Sequence, residues 1–185
     1  RFVMSGHESR RMHVANGKLI IGVRDTLLSE NEYVPTVEKP LEVSFIVNFP
    51  KHDSLYILSR SEGSTSIGGY RSNNEIRVGI DSGAKNIRIR EVQGGSWKPV
   101  ALLENVDIPL NQDVKIYYKD DGASITVTIG DYTVSGTTSG KYSKYYVGLS
   151  NWVEPIRIDD FIISHGMGVV VEEIEGDQLL TNIQL

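Results

Sequence analysis

Apolar and polar residues alternate with a period of two along most of this chain. The clearest case runs from Asp113 to Ser135, DVKIYYKDDGASITVTIGDYTVS. Val114, Ile116 and Tyr118 alternate with Lys115, Tyr117 and Lys119, and after a turn Ile125, Val127 and Ile129 alternate with Ser124, Thr126 and Thr128. A two-residue period predicts strands with one buried and one wet face. Asp121-Gly122 sits where the chain must reverse, and Asp-Gly favours a tight hairpin because glycine accepts positive φ. Gly130-Asp131 marks a second reversal into Tyr132, Thr133 and Val134, so an antiparallel meander is expected.

The same pattern recurs along the rest of the chain. Residues 18–23 follow an Asn16-Gly17 turn. In residues 41–49, Val43, Phe45, Val47 and Phe49 share one face, Glu42, Ser44 and Asn48 the other, and Pro50 ends the run. Further strands are expected at 54–60, 67–71 (short and glycine-broken), 75–80, 86–92, 97–104, 145–150 and 156–164. Residues 1–16 read as irregular, 24–39 as a loop holding Pro35, and 136–140 as a flexible loop. Strands every ~8–12 residues with turn chemistry between them indicate an antiparallel sandwich or barrel. Around a dozen strands exceed one comfortable open sheet, so an all-β, two-sheet sandwich is expected.

Length and composition narrow this further. The 185 residues suit one domain, and Val, Ile, Thr, Ser, Gly and Tyr dominate over helix formers. The formal charge is −5, which argues against a nucleic-acid partner. Residues 169–185 hold Glu172, Glu173, Glu175 and Asp177 and no Lys or Arg, leaving the body near −1. We therefore divide the chain into a sandwich domain, 1–168, and an acidic extension or linker, 169–185. With no cysteine there is no disulfide and no thiolate chemistry. No apolar run is long enough to span a membrane as a helix, and no signal peptide is visible. A chain opening on Arg1 reads as a processed or excised segment.

The order of elements resembles the concanavalin A-like lectin/glucanase superfamily, in its laminin-G-like jelly-roll branches. The residues carrying the resemblance are NGKLIIGV (16–23), LEVSFIVNF (41–49), SLYILSR (54–60), the 113–136 hairpins, YYVGLSN (145–151) and IRIDDFIIS (156–164). It covers roughly residues 12–165 and rests on strand order and spacing, with no chemical motif. It implies two curved sheets, often with a sugar or protein ligand on the concave face or rim loops; the expected setting is a surface or secreted protein.

Chemistry is sparser. The glucanases of this fold present a Glu-x-Asp-x-x-Glu strand; the partial match at Glu175, Asp177 and Leu180 lacks the last carboxylate and lies in the tail. Adjacent Asp159 and Asp160 should face opposite sides of a strand. His7, His13, His52 and His165 fit no nucleophile motif or zinc spacing. Calcium is the one cofactor considered, with Asp120, Asp121, Asp159 and Asp160 as ligands, against the plainer reading that they brace turns. Arg77, Arg88, Arg90, Lys115, Tyr117 and Lys119 are expected outward together, a basic face with an aromatic that would suit a glycan; the plainer reading is a solvated face paired with carboxylates. Trp97 and Trp152 are candidate rim platforms or core fillers, and Tyr142, Tyr145 and Tyr146 a third aromatic cluster. The leading expectation is a non-catalytic carbohydrate-binding module. The alternatives are an assembly subunit docking through its termini, on itself or on other domains, and a glycan hydrolase or lyase with an unrecognised site.

Overall fold

A computed structural model describes residues 2–6, 13–22, 25–63 and 72–166. The expected short strand at 67–71, His7 and the whole 169–185 extension lie outside the described residues. Fourteen strands are present among the described residues: β1 (Phe2–Gly6), β2 (His13–Ala15), β3 (Lys18–Ile21), β4 (Asp25–Ser29), β5 (Leu41–Asn48), β6 (Ser54–Ser61) and β7 (Glu75–Asp81), then β8 (Asn86–Gln93), β9 (Ser96–Glu104), β10 (Asp113–Asp120), β11 (Ser124–Ile129), β12 (Tyr132–Thr137), β13 (Tyr146–Asn151) and β14 (Ile156–His165). They form two seven-stranded sheets, in the orders β1-β4-β13-β6-β7-β8-β9 and β12-β11-β10-β5-β14-β3-β2. Every pairing is antiparallel. The all-β sandwich follows from the alternation: the inward residues of both sheets, among them Phe45, Ile57, Val78, Ile89, Ile116, Val127 and Phe161, merge into one core.

Two stretches read as irregular contain strands. β1 and β2 lie in the region 1–16, and β4 lies in the expected loop 24–39. β4 runs between β1 and β13, and its Thr26, Leu27, Leu28 and Ser29 are all buried. A strand covered on both faces does not alternate, so its sequence carries no period-2 signal. The hairpins behave as their sequences require. Asn16-Gly17 and Gly94-Gly95 both have positive φ at each central residue, as a type I′ turn needs.

Three bulges reset the alternation. On β14 the register with β5 slips between Asp159 and Ile162, and Asp160 takes φ 47°. Asp159 and Asp160 therefore do not face opposite sides as expected. Both stay at the surface, and the phase flip carries Phe161 and Ile163 into the core. On β9 the slip falls between the partners of Ile89 and Arg90. On β6 it falls at Arg60, which sits at φ 46°.

Backbones approach closely at Gly148, where β13 runs between β4 and β6. A Cβ there would overlap the Leu27 carbonyl oxygen and crowd a Leu28 methyl, and neither can retreat without opening the β4–β13 ladder. Gly148→Ala should therefore cost about 3 kcal/mol, the upper end of overpacking penalties, read as a lowered denaturant midpoint at unchanged m-value.

Candidate functional site

The register sorts the predicted site residues onto two separate surfaces. On the first sheet, Tyr56, Gly79 and Arg88 form one cross-strand row, and Leu58, Arg77 and Arg90 form the next. Ile57, Ile76, Val78, Ile87 and Ile89, one residue out of phase with these rows, line the core, so Tyr56, Arg77, Arg88 and Arg90 point outward. Tyr117, Lys115 and Lys119 belong to β10 of the second sheet. The expected single basic face is thus two faces on opposite sides of the sandwich. Alternation fixes which residues point outward, but not from which sheet.

Tyr117 is engaged on its own face. Its hydroxyl donates to Glu42 at 2.7 Å, and Lys119 lies 4.0 Å from the same carboxylate. Burial, then the Glu42 bond, push the phenol up to about 12. Trp152 is half-exposed but stands at the other end of the first sheet from Trp97. Buried Asp53 fixes its loop, accepting from the backbone N–H groups of Val153 (3.0 Å) and Glu154 (2.6 Å). Burial nevertheless raises the Asp53 pKa above the ordinary carboxylate value.

Arg77, Arg90 and Trp97 do come together, with Arg88 on the same face one row beyond Arg90. Trp97 is 50% exposed on β9, opposite Val92. The guanidinium carbons of Arg77 and Arg90 lie 4.9 and 5.5 Å from its ring centroid. Arg77 also lies 5.6 Å from the ring of Tyr56, which packs against Gly79, where a Cβ would stand 3.3 Å from it. Arg77 pairs with the fully buried Glu75, two residues away on the same strand face. Arg88 donates from Nε to Asn86 at 2.7 Å and lies 3.6 Å from Asp81. Tyr56 and Glu75 were not singled out in the sequence. The signal available was the outward phase of Tyr56 opposite a glycine, and an i, i+2 Glu-x-Arg on one strand.

Of the four candidate calcium ligands, Asp120, Asp121 and Asp159 are engaged separately, and Asp160 is exposed. Asp120 is fully buried and bound by Arg60 at 2.8 and 2.5 Å. Asp121 braces its hairpin, accepting from Ala123 and Ser124 N–H at 2.9 and 2.6 Å. Asp159 lies 3.4 Å from Lys18 and accepts the Asp160 N–H. Among the described residues no three His, Asp or Glu side chains gather as a metal would require. His165 Nε2 lies 2.8 Å from the Val34 carbonyl, its ring edge-on to Tyr33.

A concavity of about 340 Å³ opens at one end of the sandwich between Pro35, Arg60, Gly122, Lys141, Tyr142 and Tyr145. Its wall holds the Arg60–Asp120 pair, with Arg60 5.4 Å from the Tyr142 ring centroid. Thr138 accepts from Arg60 at 3.0 Å. Glu91 holds the neighbouring loop, accepting from Ser139 and Gly140 N–H at 2.6 and 2.9 Å, with Lys98 at 3.3 Å. Tyr142 and Tyr145 of the expected aromatic cluster line this concavity. The loop 136–140, read as flexible, is in part the end of β12 and in part this anchored segment.

No protein-family profile matches the chain, and no curated relative does. Solved structures do match. A carbohydrate recognition domain, that of Emp46p in its potassium-bound form, superposes with TM-score 0.64 at 10% identity over 91% of this chain and 89% of its own. The carbohydrate-binding module CBM66 from Bacillus subtilis gives 0.59 at 12% identity over 81% and 83%. The fold is a concanavalin A-like jelly-roll. An alginate lyase from Alteromonas sp. 272 shares it, at 0.53 and 7% identity over 90% and 95%, so the fold alone does not separate binding from catalysis.

Two predictions concern the buried charges. Arg60→Met should destabilise by about 3–5 kcal/mol, because it strands the Asp120 carboxylate, while Arg60→Met with Asp120→Leu should recover part of that loss in a denaturant double-mutant cycle. For Glu91, burial works to raise the pKa, but the Gly140 and Ser139 N–H groups and Lys98 outweigh it and lower it. A lowered folded-state pKa gives stability that is present above the unfolded value of 4.5 and lost as pH falls through the folded one. The thermal midpoints of wild type and Glu91→Gln should therefore differ most at about pH 7 and converge as pH falls below 4.5.

Proposed function

We propose that this chain is a non-catalytic carbohydrate-binding module whose glycan lies on the outer face of the first sheet, over Trp97. The observation that carries the reading is the half-exposed Trp97 ring set beside outward Arg77 and Arg90, with Tyr56 and Arg88 one row away. Sugars present an apolar C–H face that packs on an aromatic ring, and hydroxyls that accept from guanidinium donors. Solved recognition domains and modules of the same fold support it.

The carboxylates of the face favour binding over hydrolysis. Hydrolysis needs two carboxyl groups flanking the scissile bond, one able to hold a proton. Glu75 is buried against Arg77, and Asp81 lies beside Arg88 while its other oxygen accepts the Ala84 N–H at 2.7 Å. Both are committed to the face's own cations, which leaves the exposed Glu104, opposite Asn86, as a single uncommitted carboxylate where hydrolysis needs two. A glycan-binding module belongs on a secreted or surface protein, and no cofactor enters this reading. Tyr117, on the opposite sheet, and Trp152, at the far end, lie outside the proposed surface.

A glycan array identifies the ligand, and calorimetry then measures variants against it. Trp97→Ala should weaken binding about tenfold, the equivalent of one lost ring contact of roughly 1.4 kcal/mol. Tyr117→Ala should leave affinity unchanged. Equal losses from both, or no glycan bound, would remove the proposed surface.

A further inference from the structure

The outer face of the first sheet holds an arrangement that a neutral sugar does not need. Arg77 and Arg90 are direct cross-strand partners on β7 and β8. Like charges directly opposite destabilise a sheet. Here the two guanidiniums converge on one indole ring, within 4.9 and 5.5 Å of its centroid.

The charges of this face do not cancel where Trp97 stands: Glu104, the face's third carboxylate, is exposed opposite Asn86, two cross-strand rows from Arg90. The buried carboxylate of Glu75 offsets Arg77. Asp81 stands 3.6 Å from Arg88, whose Nε is held by Asn86. Arg90 has no carboxylate within 4.0 Å among the described residues, and its contact there is the Trp97 ring. The surplus positive charge therefore falls at Arg90, beside the exposed indole, in a chain whose formal charge is −5. A guanidinium offers a planar fork of N–H donors that matches a carboxylate or sulfate oxygen pair, and the ring beside it supplies the stacking surface.

Building on the glycan-binding reading, we propose that Arg90, set against Arg77 over Trp97, selects glycans carrying an acidic group on the sugar bound there. The shared chemistry is a carboxylate of a uronic acid or a sulfate ester. The acid neutralises Arg90, relieves its opposition to Arg77, and leaves the pyranose ring over the indole.

The test is calorimetry of the full chain with three sets of oligosaccharides of equal length: neutral, uronate-containing and sulfated. At least one acidic set should bind about tenfold or more tighter than the neutral set, and the advantage should shrink as salt rises. Preference for the uronate or for the sulfated set identifies the source of the acidic group. Arg90→Gln should weaken the acidic arms more than the neutral arm and so remove the preference, whereas Trp97→Ala should weaken all three arms alike. The thermal midpoint of Arg90→Gln should not fall, since that change removes a like-charge opposition; a purely structural arginine would give the reverse. Equal binding of neutral and acidic sets by the wild-type chain overturns this inference and leaves the glycan-binding reading standing, as does an acidic preference that survives Arg90→Gln. No binding in any arm overturns both.

Discussion

One buried ion pair joins the two sheets at an end of the sandwich, and several features of that end depend on it. Arg60 comes from β6 of the first sheet and Asp120 from β10 of the second, and both are almost wholly excluded from solvent. Burial of the two charges is costly, and their attraction offsets it only when the remaining hydrogen-bond capacity is used. Asp120 also accepts from Gly122 N–H at 2.8 Å, and Arg60 also donates to Thr138. Beside them the Tyr118 and Ser59 hydroxyls share a hydrogen bond across the same interface. Burial first, and Asp120 next, hold the Tyr118 phenol far above its usual range, so it remains a neutral partner.

The pair exists because of a local backbone violation. An unbulged β6 would alternate Leu55, Ile57 and Ser59 inward and send Arg60 out to solvent. The extra residue opposite β13, with Arg60 at φ 46°, turns that side chain into the interface. A non-glycine residue in the left-handed region is strained, and the strain persists only where its surroundings over-determine it. Here Asp120 does so: no other described cation is within reach of that carboxylate. The pair therefore acts as a register lock. Sliding either sheet by one residue would leave a buried carboxylate unmatched, a far larger penalty than the loss of an apolar contact.

What the sequence made legible follows from the same distinction. Period-2 runs located most strands of both sheets, though not β1, β2 or β4, and the in/out sense of Arg77, Arg88, Arg90 and Tyr117. Period cannot say which sheet a strand joins, so Tyr117 was grouped with arginines that lie on the other side of the sandwich. β4 was hidden because it is covered on both faces. Bulged residues were hidden for a different reason. Arg60 was no more than the last residue of a strand, and Asp120 a turn carboxylate or calcium ligand, because a bulge reverses the phase without changing composition. Asp159-Asp160 carried a visible trace of such a reversal, since Ile158 and Phe161 both read as inward residues and lie three apart.

Commitment of carboxylates to the framework shapes the electrostatics of the face above. Asp120, Glu91, Glu75 and Asp53 are all buried and bound by cations or backbone N–H groups. The chain is acidic as a whole, yet four of its carboxylates are spent inside, and those nearest Trp97 are matched to Arg77 and Arg88. At physiological ionic strength fields between exposed charges decay over about 8 Å. Net charge therefore says little about what an incoming ligand meets at Trp97. It meets Arg90 beside a half-exposed ring. An acidic ligand is not steered there from a distance by a positive protein; its recognition rests on contact geometry, on rigid strands whose register is locked from within.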